Sequence, residues 1–350
     1  MQTSSKDIVV YYHPGCLEHN TRGHVENPGR LAQTIDVLNS FGAWKVADLR
    51  GHAPASEDDI DTVHNPHYRL RVRDLCGRGV GMLGNSTPAC RQSYKAALLA
   101  AGGALAAVDS VVTGAYRRAL ALVRPPGHHA LPDMAMGFCI FNNPALAARR
   151  AQLRYGVKKI LLLDLDAHHG NGVERIFYSD PGVLYCSLHR DFSYPVTGWV
   201  EKTGEGRGRG YNVNIPLPLR SGDADYRAAW DEIIAPLAAA YRPELVLVCA
   251  GFDAHAGDPV GGMNLTDRGY EWLFREVLAI AEKYAGGKIA ATLEGGYNPE
   301  VLGRNVLAMI RQWSGNAGSE IKITGKPKKE TSQVLEEVKK VQGETWSCFK

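Results

Sequence analysis

The sequence predicts one α/β domain with a central, mainly parallel β-sheet flanked by helices. Three observations carry that reading. Short β-branched or leucine-rich runs recur along the chain, helix-like segments alternate with them, and no internal repeat or shift in composition divides the chain before about residue 318. Continuous apolar runs, rather than an alternating in-and-out pattern, are what strands covered on both faces require.

In chain order the elements justify themselves. DIVVYY (7–12) is the first strand and PGRLAQTIDVLNSF (28–41) the first helix. QSYKAALLAAGGALAAVDSVV (92–112) is a helix leading into the strand ALALV (119–123). NPALAARRAQLRYG (143–156) is a helix closed by Gly156, a residue that accepts the left-handed backbone at a helix end. KKILLLDLD (158–166) and VLYCSL (183–188) follow as strands, then the helix DYRAAWDEIIAPLAAAYR (225–242). The strand ELVLVCAGFD (244–253), the glycine-closed helix LTDRGYEWLFREVLAIAEKYAGG (265–287) and the strand KIAATLEGG (288–296) complete the series. Residues 1–318 are therefore read as one domain and 319–350 as a charged extension. That extension is lysine-rich and carries Val334, Val338 and Val341 at helical spacing, which predicts a short surface helix or a loose tail.

With 350 residues and 45% hydrophobic content, the chain can bury a large core. Its net charge of +3 is small for its length, and no arginine-rich aromatic stripe accompanies it, so a nucleic-acid partner is not expected. The opening MQTSSKDIVVYYHPGC lacks the pattern of a leader, and no later run reaches an unbroken membrane length, so no membrane partner is expected. Seven scattered cysteines, none in a CxxC, suit buried free thiols in a reducing compartment, and a cytoplasmic location is expected. A homo-oligomer is left open.

Ligands gather at the carboxyl ends of the strands in open α/β sheets, which makes polar residues there informative. LLLDLD runs into Asp164, Asp166 and His168, VLVCAGFD into Asp253, and IAATLEGGY into Tyr297. Asp166, His168 and Asp253 form an oxygen and nitrogen set suited to a borderline divalent ion with one position open. Taken alone, Asp-x-His is weak evidence; Asp166 capping a helix near Asn171, with His168 a turn residue, explains it as well. After ALALV, the turn in VRPPGHHALPDMAMGFCIFNN presents His128 and His129 side by side, as a proton-transfer pair would be.

RPPGHHA, GFCIFNN, DLDAHHGNG, SLH, AGFDAHAGDP and LEGGY, in this order over roughly residues 8 to 315, resemble the zinc-dependent histone deacetylase family. The likeness is to its class II-like branch, and the family includes acetylpolyamine amidohydrolases and shares the arginase-like fold. The resemblance implies one catalytic Zn²⁺ on Asp166, His168 and Asp253. It makes His129 the general base, with His128 beside it held by Asp164, and Asn171 the partner of His129. An amide there holds orientation without supplying charge, so His129 should be the less basic histidine. Tyr297 matches the tyrosine that hydrogen-bonds the substrate carbonyl and then the oxyanion. Gly295 and Gly296 give its ring backbone freedom. Phe138 and Tyr194 match the aromatic walls of a narrow channel, with Phe138 as plain core and Phe192 in place of Tyr194 as alternatives; Gly137 would line it by its backbone. The family also implies one or two structural K⁺ ions: one near Asp164, Asp166, His168, Ser187 and Leu188, the other near Phe177, Asp180, Val183 and Tyr211.

The implied substrate is an acetylated amine, either acetyl-lysine in a protein or a small acetylated amine or polyamine. Ser86 stands where most histone-type relatives have a rim aspartate, and Val260 where polyamine-selective ones have glutamate. Arg30 matches an arginine beside the acetate exit, while His19 and His24 are read as solvated loop residues. Asp258 is read as a loop residue, and His169 as held by local hydrogen bonds. Two competing readings are a binuclear manganese ureohydrolase, which needs more aspartates than AGFDAHAGDP offers, and a non-catalytic acetyl-lysine-binding protein, which would have lost a ligand or the tyrosine.

Overall fold

The computed structural model describes residues 6–315 and 321–350, apart from 22, 80 and 85. Along the chain come β1 (Ile8–Tyr11), α1 (Pro28–Ser40), β2 (Ala47–Arg50), α2 (Glu57–Asp61) and α3 (Pro66–Gly77). A small hairpin of β3 (Met82–Gly84) and β4 (Thr87–Pro88) precedes α4 (Ser93–Val112), β5 (Arg118–Ala121), α5 (Asn143–Tyr155), β6 (Ile160–Asp164) and α6 (Asn171–Phe177). Then follow β7 (Val183–Arg190), β8 (Asn212–Leu217), and α7 (Asp223–Ala229), which continues through a π turn into α8 (Ala235–Tyr241). The chain ends with β9 (Leu245–Ala250), α9 (Asp267–Tyr284), β10 (Ile289–Leu293), α10 (Pro299–Trp313) and α11 (Lys329–Gln342). Eight strands form one sheet in the order β2-β1-β5-β10-β9-β6-β7-β8, and every described pairing in it is parallel.

Every residue of β5, β6, β9 and β10 is buried, as continuous apolar runs predict for strands covered on both faces. Two strands lie outside the apolar pattern. β2 is a four-residue edge strand, ADLR, mostly open to solvent, and β8 interrupts its apolar residues with Asn212 and Asn214, whose amides hold Glu174. Several helices start by one device: an asparagine side chain accepts backbone N–H groups ahead of a proline in the first turn. This holds at Asn27, Asn65, Asn142 and Asn298.

α4 is long and apolar enough, at 20 residues, to pass the length and composition test for a membrane span, contrary to the expectation that no segment would. Its residues are largely buried, against β5 and α5, which explains the apolar content by core packing. The expected boundary at 318/319 lies outside the described residues. Beyond it, α11 packs against β8 with Leu335 and Val338 buried, Thr331 donates to Asp225, and Trp346 donates to the carbonyl of Gly210.

Candidate metal centre

All eight strands point the same way, so their carboxyl ends open on one edge, and β5, β10, β9 and β6 are neighbours in its middle. The loops leaving those four strands carry the site. Asp166 and His168 follow β6, and Asp253 follows β9. Their ligand atoms lie within 4.8 Å of one another, and all three residues are buried. His168 Nδ1 stands 3.1 Å from Asp166 Oδ1 and 2.8 Å from Asp253 Oδ2. The outer oxygens are held by backbone: Gly295 N donates to Asp166 Oδ2 at 2.8 Å and Ala167 N to Asp253 Oδ1 at 2.8 Å. A Cβ on Gly295 would stand 2.5 Å from Asp166 Oδ2 and 2.6 Å from Asp253 Oδ2, so only glycine lets that amide approach.

Burial disfavours a charged His168, yet Asp253 and then Asp166 outweigh it and lift the imidazole to about 10. Two buried carboxylates thus demand positive charge between them. This donor set fits a divalent ion of borderline character with a position left open toward the cavity. A second buried cluster, His128, Cys139 and Glu294, meets the same distance, but both oxygens of Glu294 are already taken by the amides of Gly127 and His128 and by Thr292.

The histidine pair comes from the loop after β5. Its rings are 3.9 Å apart. His128 Nδ1 faces Asp164 Oδ2 at 3.1 Å, and Tyr185 donates to the same oxygen at 2.8 Å. His129 Nδ1 faces Asn171 Oδ1 at 2.9 Å. Burial opposes protonation of both. Asp164 and Asp166 overcome it at His128 and raise it to about 10, whereas His128 and His168 add to the depression at His129 and hold it well below the ordinary value.

Glu294, which the sequence reading passed over, anchors this loop from beneath. Its Oε2 accepts the amides of Gly127 at 2.6 Å and His128 at 3.0 Å, and Thr292 donates to Oε1 at 2.9 Å. The available signal was a carboxylate directly after an uncharged, mostly apolar strand.

Tyr297 follows Gly296, whose φ of +117° needs glycine. Its amide donates to Asp258 Oδ2 at 2.6 Å, and the same carboxylate accepts the amides of Asn298, Val260 and Gly261. Asp258 therefore organises both the tyrosine loop and the Val260 loop, more than a loop residue was expected to do. Arg30 is buried, lies 4.9 Å from the centre of the Tyr297 ring, and donates to the carbonyls of Gly296 and Glu294. Glu26 bridges Arg30 and Arg124.

His19, expected in solvent, is 1% exposed and bonded to Ser93 at 2.7 Å with Glu26 at 3.5 Å. The charged cluster under the loop draws it inward. His24 is half-buried, edge-on to Phe138 at 4.5 Å.

Ser86, His129, Gly137, Phe138, His168, Tyr194, Val260 and Tyr297 line one cavity of about 210 Å³. Phe138 faces it instead of the core. Tyr194 lines it while Phe192 is 77% exposed outside, which separates those alternatives. A Cβ on Gly137 would meet the His129 ring at 2.4 Å. His169 bonds Thr197 at 2.8 Å, away from the trio. Ser187 pairs with Asp164 across β6 and β7, with Leu188 next to it. Near α6, Asp180 N donates to the Phe177 carbonyl, Val183 N to the Asp180 carbonyl, and Tyr211 O accepts from Tyr185 N.

Residues 24–313 match the family described as "Histone deacetylase domain". The chain belongs to the histone deacetylase family. It is 41% identical over 295 residues to the "Histone deacetylase-like amidohydrolase" of Pseudomonas aeruginosa, covering 84% of this chain and 77% of that protein. It is 36% identical over 360 residues to a "Probable deacetylase" of Archaeoglobus fulgidus, covering 97% and 99%. Similarity to the "Polyamine deacetylase HDAC10" of Mus musculus is 37% over 337 residues, covering 93% of this chain and 50% of that one. Among solved structures, the HDA15 HD domain superposes with a TM-score of 0.91 at 33% identity, over 99% of this chain and 97% of that one. The deacetylase fold expected from six ordered motifs is the one this family member has.

Proposed function

We propose that the chain is a zinc-dependent amidohydrolase that cleaves the amide of an acetylated primary amine to acetate and free amine. The observation that carries this is convergence: from four separate strand ends, the metal-ligand trio through His168, the histidine pair through His129, and Tyr297 all reach one small cavity. Asp166, His168 and Asp253 would hold the ion, which when bound supplies Lewis acidity toward the amide carbonyl and toward water.

The chain's own groups do the rest. His129, kept neutral by its surroundings and aimed by Asn171, takes the proton from the attacking water. His128, kept cationic by Asp164, stabilises the negative charge that develops beside it, and the proton on His129 passes to the departing amine. The Tyr297 hydroxyl donates to the oxyanion as the carbonyl becomes tetrahedral. Phe138 and Tyr194 press on a linear alkyl chain, and Gly137 and Val260 leave room for it. Arg30, beneath Tyr297, braces its loop through the carbonyls of Gly296 and Glu294. Monovalent cations at the Asp164/Ser187 and Phe177/Asp180 loops would be structural, and five buried free thiols (Cys16, Cys76, Cys139, Cys186 and Cys249) suit the reducing cytoplasm.

A binuclear ureohydrolase is disfavoured, because both oxygens of Asp258 are engaged by backbone amides. The test is acetate release by the zinc-loaded protein from acetyl-lysine peptides, free acetyl-lysine and acetylated polyamines side by side. A folded, metal-loaded protein that releases no acetate from any of them overturns the proposal.

A further inference from the structure

The deacetylase reading leaves open what the rest of the substrate touches, and a second feature beside the cavity bears on that. An open groove of about 780 Å³ runs between the loop after β7 and α11. The loop after β7 contributes to the lining of both the groove and the cavity. Phe192, in the groove, lies two residues before Tyr194, in the cavity, and Arg190 Nη1 donates at 2.9 Å to the carbonyl of Gly261, the neighbour of Val260.

The floor is apolar and open. Phe192 is 77% exposed and Leu219 59% exposed, with Pro218 and Val334 beside them. Phe192 also holds a left-handed backbone, φ +48°, with its ring edge-on to Trp199 at 5.5 Å. A phenylalanine fixed in a costly conformation with its ring in water is a feature the fold has no internal use for. One wall is acidic: Glu330 and Glu337 are exposed and make no ion pair among the described residues, and Asp191 adds a third carboxylate. Of the cations nearby, Arg190 is turned onto the Gly261 carbonyl and Lys328 onto the Leu219 carbonyl. The chain as a whole is +3, so this acidic wall is a local feature. By contrast, among the described residues no acidic side chain lines the cavity itself, where Ser86 and Val260 form part of the wall.

We propose that this groove binds the polypeptide flank of an acetyl-lysine substrate, with an apolar side chain on Phe192 and Leu219 and a lysine or arginine against Glu330 and Glu337. The substrate class is then a protein or peptide acetylated within a basic, apolar segment. α11 becomes part of the substrate-binding surface rather than an appendage.

The test compares the wild type with the Glu330→Lys/Glu337→Lys double variant and with Phe192→Ser, all zinc-loaded. The substrates are an acetyl-lysine peptide flanked by leucine and arginine, one of the same length flanked by glutamates, free acetyl-lysine, and N-acetylspermidine. The wild type should favour the basic peptide over the acidic one by roughly tenfold in kcat/KM, the difference lying in KM. The double variant should erase or reverse that preference, and Phe192→Ser should weaken both peptides. Free acetyl-lysine, too short to reach the groove, reports whether the chemistry is intact in each protein.

Equal rates on the two peptides, with free acetyl-lysine hydrolysed, overturn the groove and leave the deacetylase reading standing. No acetate from any substrate overturns that reading and the groove with it. Faster hydrolysis of N-acetylspermidine than of either peptide, lost in the double variant, reassigns the groove to a polyamine and overturns the proposal. A wild-type dimer that the variants dissociate does the same in favour of a second copy of this chain.

Discussion

Tyr297 is held by its backbone, through Asp258, and leaves its hydroxyl to the cavity. On the proposed mechanism, replacing it by phenylalanine removes one oxyanion donor without disturbing packing, and should lower kcat by roughly 10² to 10³ with little change in thermal stability. Steady-state kinetics alongside a melting curve checks this; a loss seen in KM alone would remove the tyrosine from the transition state.

Beneath it, burial holds His19 down at about 4, against an ordinary 6.5. The folded state therefore favours the neutral ring. Stability is fully present above 6.5 and declines as pH falls toward 4, because the unfolded chain takes up the proton first. Glu26 continues the trend: burial opposes its charge, but Arg124 outweighs burial and holds it at about 2 against 4.5, so its contribution is lost between those values. Urea midpoints between pH 7 and 4 should fall in the wild type and fall less steeply in His19→Gln, since buried His64, also held at about 4, keeps its own share of the slope. Parallel slopes would assign the loss elsewhere.

At the scale of elements, the strands that were plain in the sequence are those whose buried faces are filled almost wholly by apolar side chains. β2 and β8 escaped because an edge strand tolerates polar residues and because Asn212 and Asn214 are satisfied by a partner, Glu174, that lies on another element. α3 and α10 could have been found from their Asn-Pro starts. α11 shows the opposite limit: its valine spacing was legible, but the mate for its buried face was not. Leu335→Ala should cost about 2–5 kcal/mol, as for a buried leucine in a close-packed core, rather than the near-zero cost of a surface position. Chemical unfolding measures it.

Gly295→Ala probes the turn after β10. Its Cβ would push on both ligand carboxylates, so zinc affinity should fall by more than tenfold, read by competition with a chromophoric chelator. Unchanged affinity would mean the turn yields.

For the whole molecule, the proposed metal centre would also act on stability. Asp166, His168 and Asp253 are buried together, and without a cation their charges must be met by protons. Zinc binding only to the folded state should raise stability by about 4 kcal/mol at a thousandfold excess over Kd. Thermal unfolding with and without a chelator reads the change, and coincident curves would show that the trio holds no ion.

The sequence by itself determined the parallel sheet, the family, and the identity of the groups at the strand ends. Periodicity and motif order are local properties of the chain, and a parallel sheet sends every strand's carboxyl end to one edge. Only the tertiary structure decided which residues share a cavity: that Tyr194 faces inward and Phe192 outward, that His19 is buried, that Asp258 braces two loops, and that Glu294 carries the histidine turn. Each of those depends on a partner far away in sequence, and burial, hydrogen bonding and charge are set by that partner's position, which no local pattern contains.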